Sequence, residues 1–306
     1  MNKDIPAIFS SNDIPPIGFG PAGLGYTPKR KKKPTGILLL ADKVWGKLYR
    51  NRVKRAQYVN AIAGALKMGF RLLDYSCSYG DGRLLGQAVR QCGVPREQIF
   101  ITTRISNKAQ TEHRVREEFL SFIKNMGVQY VDLLQFHWPV TGCYLDTWRE
   151  MERLYDEGYV KHLGVANCHQ HHLEEIFKIC RYRPEVGQFE IHPLFSQKPL
   201  VAYYQEQGIA VEAYTPLARY DDRLVRLPLL KRLEKKYQKS FIQIILRWHV
   251  QNGIVPLVRA LSPSHQKENF NIFDFELSAE DMALIDGINI NSRLRYDPDN
   301  CDFSIL

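Results

Sequence analysis

The sequence predicts a (β/α)8 TIM barrel, a fold of the α/β class in which parallel strands alternate with helices. Eight short runs are almost continuously apolar or β-branched, and the segments between them carry apolar residues at helical spacing. The predicted strands lie at 15–23, 70–76, 98–106, 130–138, 160–167, 185–191, 209–216 and 254–260. The predicted helices include 58–69, 83–93, 117–127, 147–158, 171–180 and 241–253.

Each strand is recognised by its own residues, taken in chain order. The first, PPIGFGPAG, runs into a glycine-rich turn, and the second, FRLLDYS, is apolar until its aspartate. The third to fifth contain the cores FITT, DLLQF and LGVA, and the last three contain GQFEI, AVEAY and VPLV. Five of the six intervening helical segments end in glycine, which is a common helix stop signal.

An open doubly wound sheet is the alternative fold for such an alternation. Its dinucleotide-binding form places G-x-G-x-x-G between the first strand and the first helix. The stretch GFGPAGLG at 18–25 supplies glycines, but PKRKKKP follows it in place of a helical pattern. No acidic residue closes a neighbouring strand at the expected distance, so the barrel is the preferred prediction.

Length and composition fit a globular protein. A chain of 306 residues that is 44% hydrophobic can form one large barrel or two ordinary domains. The strand and helix alternation favours a single barrel over 1–306. The sequence has no apolar run of 18 residues and no secretory signal pattern, and its six cysteines are scattered without a C-x-x-C pair. These features predict a cytoplasmic protein without a disulfide framework.

Polar side chains follow the predicted strands at the ends where a barrel has its active site. Taken singly, each has a structural explanation, such as a turn, a packed aromatic ring or a hydrogen-bonded core histidine. Their joint occurrence at successive strand ends favours a functional site. The residues are Asp74, Tyr79, Arg104, His137, Asn167, Gln188, Glu190, Tyr214 and Thr215.

The sequence resembles the aldo-keto reductases. The matching stretches include GFRLLDYSCSYGDGRLLGQAVRQCGVPREQIFITT, YVDLLQFHWP, TWREMERLYDEGYVKHLGVAN, GQFEIHP and GIAVEAYTPL, and the likeness extends over nearly all of 57–286. The family consists of (β/α)8 barrels that bind NADPH without a Rossmann motif, which accounts for the missing fingerprint. The resemblance implies an NAD(P)H-dependent oxidoreductase that reduces an aldehyde, ketone or sugar carbonyl.

The resemblance also implies catalytic roles for four residues. Tyr79 matches the general acid that protonates the carbonyl oxygen, His137 the residue that orients the carbonyl, and Asp74 the carboxylate that anchors a cation beside the tyrosine. The family has lysine where this chain has Arg104. Because a guanidinium is planar and effectively never deprotonated, the exchange is not conservative. Two interpretations follow: an enzyme with reduced or specialised activity, or a nicotinamide-binding subunit with weak or no catalysis.

A cofactor site follows from the resemblance in the same way. Tyr214 matches the ring that stacks on the nicotinamide, and Arg259 replaces a lysine that binds the 2′-phosphate. Arg259 can pair with a phosphate, so NADP(H) is preferred. NAD(H) is the alternative, because Ala260 and His265 replace a serine and an arginine of the family. The implied cofactor residues are Asn167, Gln188, Tyr214, Thr215, Leu217, Arg259, His265, Glu268 and Asn269.

A basic insertion at about 27–56 needs an explanation of its own. Residues 27–55 carry eleven Lys and Arg side chains against one acidic residue, while the whole chain has a net charge of +9. Because this basicity is local and no nucleic-acid-binding signature occurs, no nucleic acid partner is predicted. Apolar residues at helical spacing within 37–48 predict a short amphipathic basic helix.

Several roles for the insertion stay open. It could form a lid on the barrel, recruit an anionic or sugar-linked substrate, hold the cofactor pyrophosphate, or make peripheral contact with a membrane or a protein. The histidine-rich HQHH at 169–172 lacks cysteines or a carboxylate at a repeated ligand spacing, and no metal site is predicted there.

Overall fold

A computed structural model describes residues 16–21, 54–80 and 82–303 of the chain. Its eight parallel strands close into a barrel in chain order, which confirms the predicted fold. The strands are β1 (Gly18–Phe19), β2 (Leu72–Asp74), β3 (Phe100–Ile105), β4 (Val131–Phe136), β5 (Val160–Ala166), β6 (Val186–Glu190), β7 (Ala210–Tyr214) and β8 (Ile254–Val258). Each observed strand lies within its predicted range. Closure occurs where β1 pairs with both β2 and β8.

Helices follow the strands, and six of them coincide with the helices predicted from the sequence. The first, α1, covers 54–68 of the described residues. The others are α2 (Arg83–Gln91), α3 (Asn107–Thr111), α4 (Val115–Met126), α5 (Tyr144–Asp156), α6 (Gln170–Ile179), α7 (Lys198–Glu206), α8 (Asp222–Val225), α9 (Pro228–Tyr237), α10 (Phe241–Gln251), α11 (Pro263–Phe270) and α12 (Ala279–Asp286). An irregular C-terminal segment, residues 287–303, follows α12.

The interior of the barrel has an apolar layer and a polar layer. Alternate residues of each strand point inward, so every inward position is two residues from the next. Most of the apolar inward positions lie near the strand starts, and together with Leu257 near the end of β8 they form one cluster: Leu72, Phe100, Leu133, Val186, Ala210, Val255 and Leu257. Two residues further along, the strands supply buried polar groups instead: Asp74, Thr102, Gln135, Gln188 and Glu212. The alternation therefore places polar chemistry at the carboxyl ends of the strands.

Close packing outside the barrel fixes the helices on the strands. The outward strand residues join the helices in one large core that includes the buried Trp148 and Trp248. Gly86 of α2 lies against the backbone of α4, where an added Cβ would sit 1.9 Å from the Met126 carbonyl oxygen. A larger residue at 86 would force the two helices apart.

Two sequence predictions fall largely outside the described residues. These are the amphipathic basic helix within 37–48 and nearly all of the basic insertion, and the ends of the first predicted strand lie outside as well. All six cysteines are described, and all are free thiols. Within the described ranges, no helix is both long enough and apolar enough to cross a bilayer.

Candidate active site

A cavity of about 500 Å³ opens at the carboxyl ends of the strands. Ten of the thirteen residues that the sequence assigned to catalysis or cofactor binding line it: Asp74, Tyr79, Arg104, His137, Asn167, Gln188, Tyr214, Thr215, Leu217 and Arg259. The other three, His265, Glu268 and Asn269, lie on α11 and do not line the cavity. The topology thus brings residues from seven strands, β2 to β8, or from the loops that follow them, together in one space.

The floor of the cavity contains a buried ion pair between Arg104 and Asp74. Arg104 is 1% exposed and Asp74 is 6% exposed. Both terminal nitrogens of Arg104 donate to the carboxylate, Nη1 to Oδ1 and Nη2 to Oδ2, the latter at 2.9 Å. This two-point geometry matches a planar guanidinium to a planar carboxylate. Although burial acts in the opposite direction, Asp74 and Tyr79 keep the pKa of Arg104 above its ordinary value.

Gln188 joins the ion pair to a second buried carboxylate. Its Oε1 accepts from Arg104 Nη1 at 2.9 Å, while its Nε2 donates to Asp74 Oδ1 at 2.9 Å and to Glu212 Oε2 at 2.8 Å. Glu212 is fully buried, and burial together with the nearby Asp74 charge raises its pKa to about 8. Glu212 is therefore protonated in the folded protein at neutral pH.

Tyr79 lies directly above the ion pair. Arg104 Nη2 donates to the Tyr79 hydroxyl oxygen at 3.4 Å. The tyrosine ends a short 3-10 turn, Cys77–Tyr79, which the Ser76 hydroxyl caps by accepting from the backbone N–H of Ser78. Its ring packs edge-on against Tyr75, with ring centroids 5.6 Å apart. The turn and this ring contact hold the phenol oxygen towards the guanidinium.

His137 faces Tyr79 from the end of β4. The two ring centroids are 6.0 Å apart and the rings are nearly perpendicular, at 81°. Burial, together with the positive charges of Arg104 and Arg295, lowers the pKa of His137 to about 3. The imidazole is consequently neutral at neutral pH. A neutral imidazole can donate a hydrogen bond from one ring nitrogen, but it has no imidazolium proton to transfer.

The far wall of the cavity has a strained backbone. Asn167, directly after β5, and Thr215, directly after β7, have φ values of 59° and 56°. Left-handed backbone is uncommon for residues with a side chain and especially for a β-branched one. The Asn167 amide connects the ends of β4 and β7 by hydrogen bonds. Tyr214 donates to its Oδ1 at 2.6 Å, and its Nδ2 donates to the His137 carbonyl at 2.9 Å. The Tyr214 ring is thereby fixed at the cavity wall.

Eight cavity residues were not assigned to the site from the sequence: Gly20, Trp138, Pro216, Arg219, Tyr220, Leu257, Val258 and Arg295. Trp138 follows His137 directly, so its proximity could have been read from the strand end. Arg219 and Tyr220 lie in the turn after β7, where both have positive φ. Arg295 belongs to the C-terminal segment, and only the fold brings it to the cavity.

The HQHH histidines lie apart from the cavity, at the start of α6. His169 Nδ1 is 2.7 Å and His171 Nε2 is 3.0 Å from the carboxylate of Asp299 in the C-terminal segment. The ligand atoms of these three residues lie within 4.8 Å of one another, which is close enough for a metal ion. However, Arg293 Nη2 lies 3.3 Å from His169 Nε2, so hydrogen bonds already engage both nitrogens of that ring. The cluster thus connects the C-terminal segment to α6.

Comparison with known proteins gives consistent matches. The profile of the Aldo/keto reductase family matches residues 42–290. The chain is 37% identical to the 9,11-endoperoxide prostaglandin H2 reductase of Trypanosoma cruzi, over 80% of this chain and 87% of the relative. It is also 37% identical to the glyoxal reductase of Bacillus subtilis, over 79% of this chain and 87% of that protein.

A solved structure resembles the described fold as well. The crystal structure of an aldo-keto reductase from Bombyx mori in complex with NADP matches with a TM-score of 0.79 and 27% identity, covering 94% of this chain and 92% of that one. The barrel topology, the polar strand ends and these matches lead to one conclusion. The chain belongs to the aldo/keto reductase family.

Proposed function

We propose that the protein is an NADPH-dependent reductase that converts an aldehyde, ketone or sugar carbonyl into an alcohol, with Tyr79 as the general acid. The observation that carries this proposal is the contact of Arg104 Nη2 with the Tyr79 hydroxyl, 3.4 Å long, beside the neutral His137. A phenol is a weak acid near neutrality and needs a nearby positive charge when its proton leaves. The buried guanidinium provides that charge.

The residues around the cavity fit a nicotinamide dinucleotide in shape and charge. Tyr214 offers a fixed aromatic wall, and the exposed Arg219 and Arg259 offer positive charge at the cavity edge. Asn167 uses one amide hydrogen for the His137 carbonyl and has a second one available for a carboxamide. Arg259 supports NADPH over NADH, because a guanidinium can pair with a 2′-phosphate.

Gln188 has little hydrogen-bonding capacity left for a bound cofactor. Both hydrogens of its amide are donated within the protein, to Asp74 and Glu212. Its oxygen accepts from Arg104, which leaves one lone pair for a ligand. We therefore expect the carboxamide of a bound nicotinamide to be held mainly through Asn167.

The proposed mechanism assigns each step to a side chain. When bound, the reduced nicotinamide would supply a hydride to the carbonyl carbon. His137, as a neutral imidazole, donates a hydrogen bond to the carbonyl oxygen and fixes its direction. Tyr79 transfers its proton to that oxygen, and Arg104 stabilises the phenolate that remains. Asp74 holds the guanidinium in place and balances its charge in the buried floor.

The family relationship favours turnover over the non-catalytic alternative. The relatives described above are named as reductases of a prostaglandin endoperoxide and of glyoxal. We therefore propose a small-molecule carbonyl substrate, anionic or sugar-linked, and a cytoplasmic location. Peripheral contact of residues 27–56 with a membrane or a protein stays a prediction from the sequence.

Cofactor titration followed by a carbonyl panel tests the proposal. Intrinsic fluorescence measures the affinities for NADPH and NADH, and loss of NADPH absorbance measures turnover of glyoxal and other aldehydes. Tyr79→Phe should lower kcat by at least about 100-fold, because general acid catalysis contributes on this scale, while cofactor affinity stays nearly unchanged.

Tyr203→Phe is the matched control, because Tyr203 lies on α7 and does not line the cavity. It should retain wild-type rates. If neither cofactor binds at micromolar concentrations, the reductase proposal fails. If cofactor binds and no aldehyde or ketone is reduced, the non-catalytic alternative is correct.

A further inference from the structure

The ring of His137 has a hydrogen-bond partner that the proposed mechanism does not use. Ser78 Oγ lies 3.4 Å from His137 Nδ1. Within the described ranges, the ring makes no other hydrogen bond, so Nε2 is the nitrogen left for a ligand in the cavity that His137 lines. Ser78 does not line this cavity itself. A change at Ser78 therefore acts on a bound molecule through its neighbours.

The Ser78 hydroxyl is held in place by a second serine. Ser76 is fully buried, and its Oγ lies 2.9 Å from Ser78 Oγ. The same oxygen of Ser76 accepts from the Ser78 backbone N–H at 3.3 Å. It also contacts the backbone carbonyl of Arg104, to which it can donate at 3.3 Å. The buried serine thus fixes the exposed hydroxyl of Ser78 beside the His137 ring.

The two serine hydroxyls have two hydrogens for three contacts. The contacts join Ser76 to the Arg104 carbonyl, Ser76 to Ser78, and Ser78 to His137 Nδ1. A hydroxyl donates one hydrogen and can also accept. In one arrangement, Ser76 donates to Ser78, and Ser78 donates to Nδ1. In the other, Nδ1 donates to Ser78, Ser78 donates to Ser76, and Ser76 donates to the Arg104 carbonyl.

The two arrangements give opposite tautomers of His137. The neutral imidazole carries one N–H, and the hydrogen bond made by one ring nitrogen decides which nitrogen bears it. When Ser78 donates to Nδ1, the hydrogen is on Nε2 and is available for a carbonyl oxygen. When Nδ1 donates to Ser78, Nε2 presents a lone pair, which repels that oxygen. Reduction of a carbonyl therefore requires the first arrangement.

We infer that Ser78 is a positioning residue for the reduction, whose hydroxyl donates to His137 Nδ1 and thereby keeps a hydrogen on Nε2 for the carbonyl oxygen. The inference rests on the proposed function, in which His137 donates to that oxygen. Without the hydroxyl, Nδ1 loses its hydrogen-bond donor, and the Nε2–H tautomer loses its advantage over the other form. Ser78 gives the neutral ring a direction that the imidazole lacks by itself.

Kinetics of Ser78→Ala and Ser78→Thr test the role of the hydroxyl. With NADPH and benzaldehyde, Ser78→Ala should lower kcat/KM about tenfold, because one hydrogen bond contributes on this scale. The affinity for NADPH should stay unchanged, since Ser78 does not line the cavity. Ser78→Thr keeps a hydroxyl, so its kcat/KM should stay within about threefold of wild type.

Ser121→Ala is the matched control for the loss of one serine hydroxyl. Ser121 is exposed on α4 and does not line the cavity. This variant should keep the wild-type kcat/KM for benzaldehyde and the wild-type affinity for NADPH. A general effect of a serine substitution on the fold would appear in this variant as well.

Nitrogen NMR of isotope-labelled histidine rings measures the tautomer directly, because protonated and unprotonated ring nitrogens have well-separated chemical shifts. The spectrum of His137→Gln identifies the His137 signals. In the wild-type protein, Nδ1 should be unprotonated and Nε2 protonated. Ser78→Ala should move both shifts towards those of a mixture of tautomers, and Ser121→Ala should leave them unchanged. A role of Ser78 in the turn alone would not exchange the protonation of the two nitrogens.

The two proposals fail in different ways. Equal kcat/KM values for wild type and Ser78→Ala would overturn the inference and leave the reductase function standing, and so would equal losses in Ser78→Ala and Ser78→Thr. If the wild-type protein reduces no aldehyde, the reductase proposal fails, and NMR then decides the inference about the hydroxyl. A protonated Nδ1 in the wild-type protein, or His137 shifts that Ser78→Ala leaves unchanged, would overturn it.

Discussion

The floor and the rim of the cavity use arginine in opposite ways. At the floor, Arg104 is buried and donates to three side chains, Asp74, Gln188 and Tyr79. At the rim, Arg219, Arg259 and Arg295 form no ion pairs within the described part of the chain. The floor arginine is a fixed component of the fold, whereas the rim arginines remain available for ligands. The same residue type thus supplies structure in one place and binding capacity in the other.

Loss of the floor cation should have the largest effect on stability. Arg104→Met leaves the Asp74 carboxylate buried without its partner, which costs about 3–5 kcal/mol when a buried pair is broken. Urea unfolding followed by circular dichroism measures this loss in free energy of unfolding. Arg104→Lys should be destabilised less, because it keeps a positive charge but cannot make all three contacts.

Substitution of a rim arginine should destabilise the fold far less than substitution of Arg104. Arg219→Ala removes an exposed side chain without an ion pair and should change the free energy of unfolding by about 0.5 kcal/mol or less. Equal destabilisation of Arg219→Ala and Arg104→Met would contradict the distinction between floor and rim. A rise in turnover of Arg104→Lys above wild type would identify the guanidinium as the cause of reduced activity.

The free energy of unfolding should also depend on pH through Glu212, a buried residue at the floor of the cavity. The pKa of Glu212 is raised from 4.5 to about 8, mainly by burial. Between pH 4.5 and 8, the folded protein therefore keeps a proton that the unfolded chain has released. The contribution of Glu212 to the free energy of unfolding is complete below pH 4.5 and is lost as the pH rises towards 8. Glu212→Gln does not titrate, so its stability relative to wild type should increase with pH across this interval.

Parallel unfolding curves at several pH values give this comparison directly. His137 titrates with the opposite sign, since its pKa is lowered to about 3 and its contribution is lost as pH falls from 6.5. Both proteins retain His137, so the difference between them isolates Glu212. A pH-independent difference between pH 5 and 8 would show that Glu212 is ionised in the folded state.

The last prediction concerns the effect of a rim arginine on cofactor binding. Arg259→Ala should weaken NADPH binding about tenfold, or about 1.4 kcal/mol, and leave NADH binding nearly unchanged. Fluorescence titration of both dinucleotides measures the ratio of the two affinities. Arg232→Ala is the charge-matched control, because Arg232 is exposed on α9 and does not line the cavity. An equal loss for both cofactors would place Arg259 at a phosphate that they share and not at the 2′-phosphate.

The sequence was sufficient for the fold because each strand is a continuous apolar run between helical segments. It also predicted most of the cavity lining, since residues at strand ends must share one face of a barrel. The contact between Arg104 and Gln188 was not predictable, because it depends on how far a guanidinium reaches across the interior. Glu212 was a signal left unused, as a lone acid within the apolar run AVEAY.

Arg295 shows a different limit of sequence interpretation. Its position depends on two backbone hydrogen bonds to Glu190, a residue on β6 that is distant in the chain. No periodicity or spacing encodes a contact between an irregular segment and a strand end. Helices such as α3 and α8, with five and four residues, were also not predicted, because they are too short to show a period.

The permanent charge of Arg104 also affects how Tyr79, the proposed acid, would regain its proton between turnovers. A lysine in this position could donate a proton to the tyrosine and then be reprotonated by its surroundings. A guanidinium does not release a proton in the range where proteins function. In the proposed mechanism, the proton lost from the Tyr79 oxygen would therefore be replaced from solvent through the mouth of the cavity, so reloading of the acid would be tied to the departure of product through that same opening.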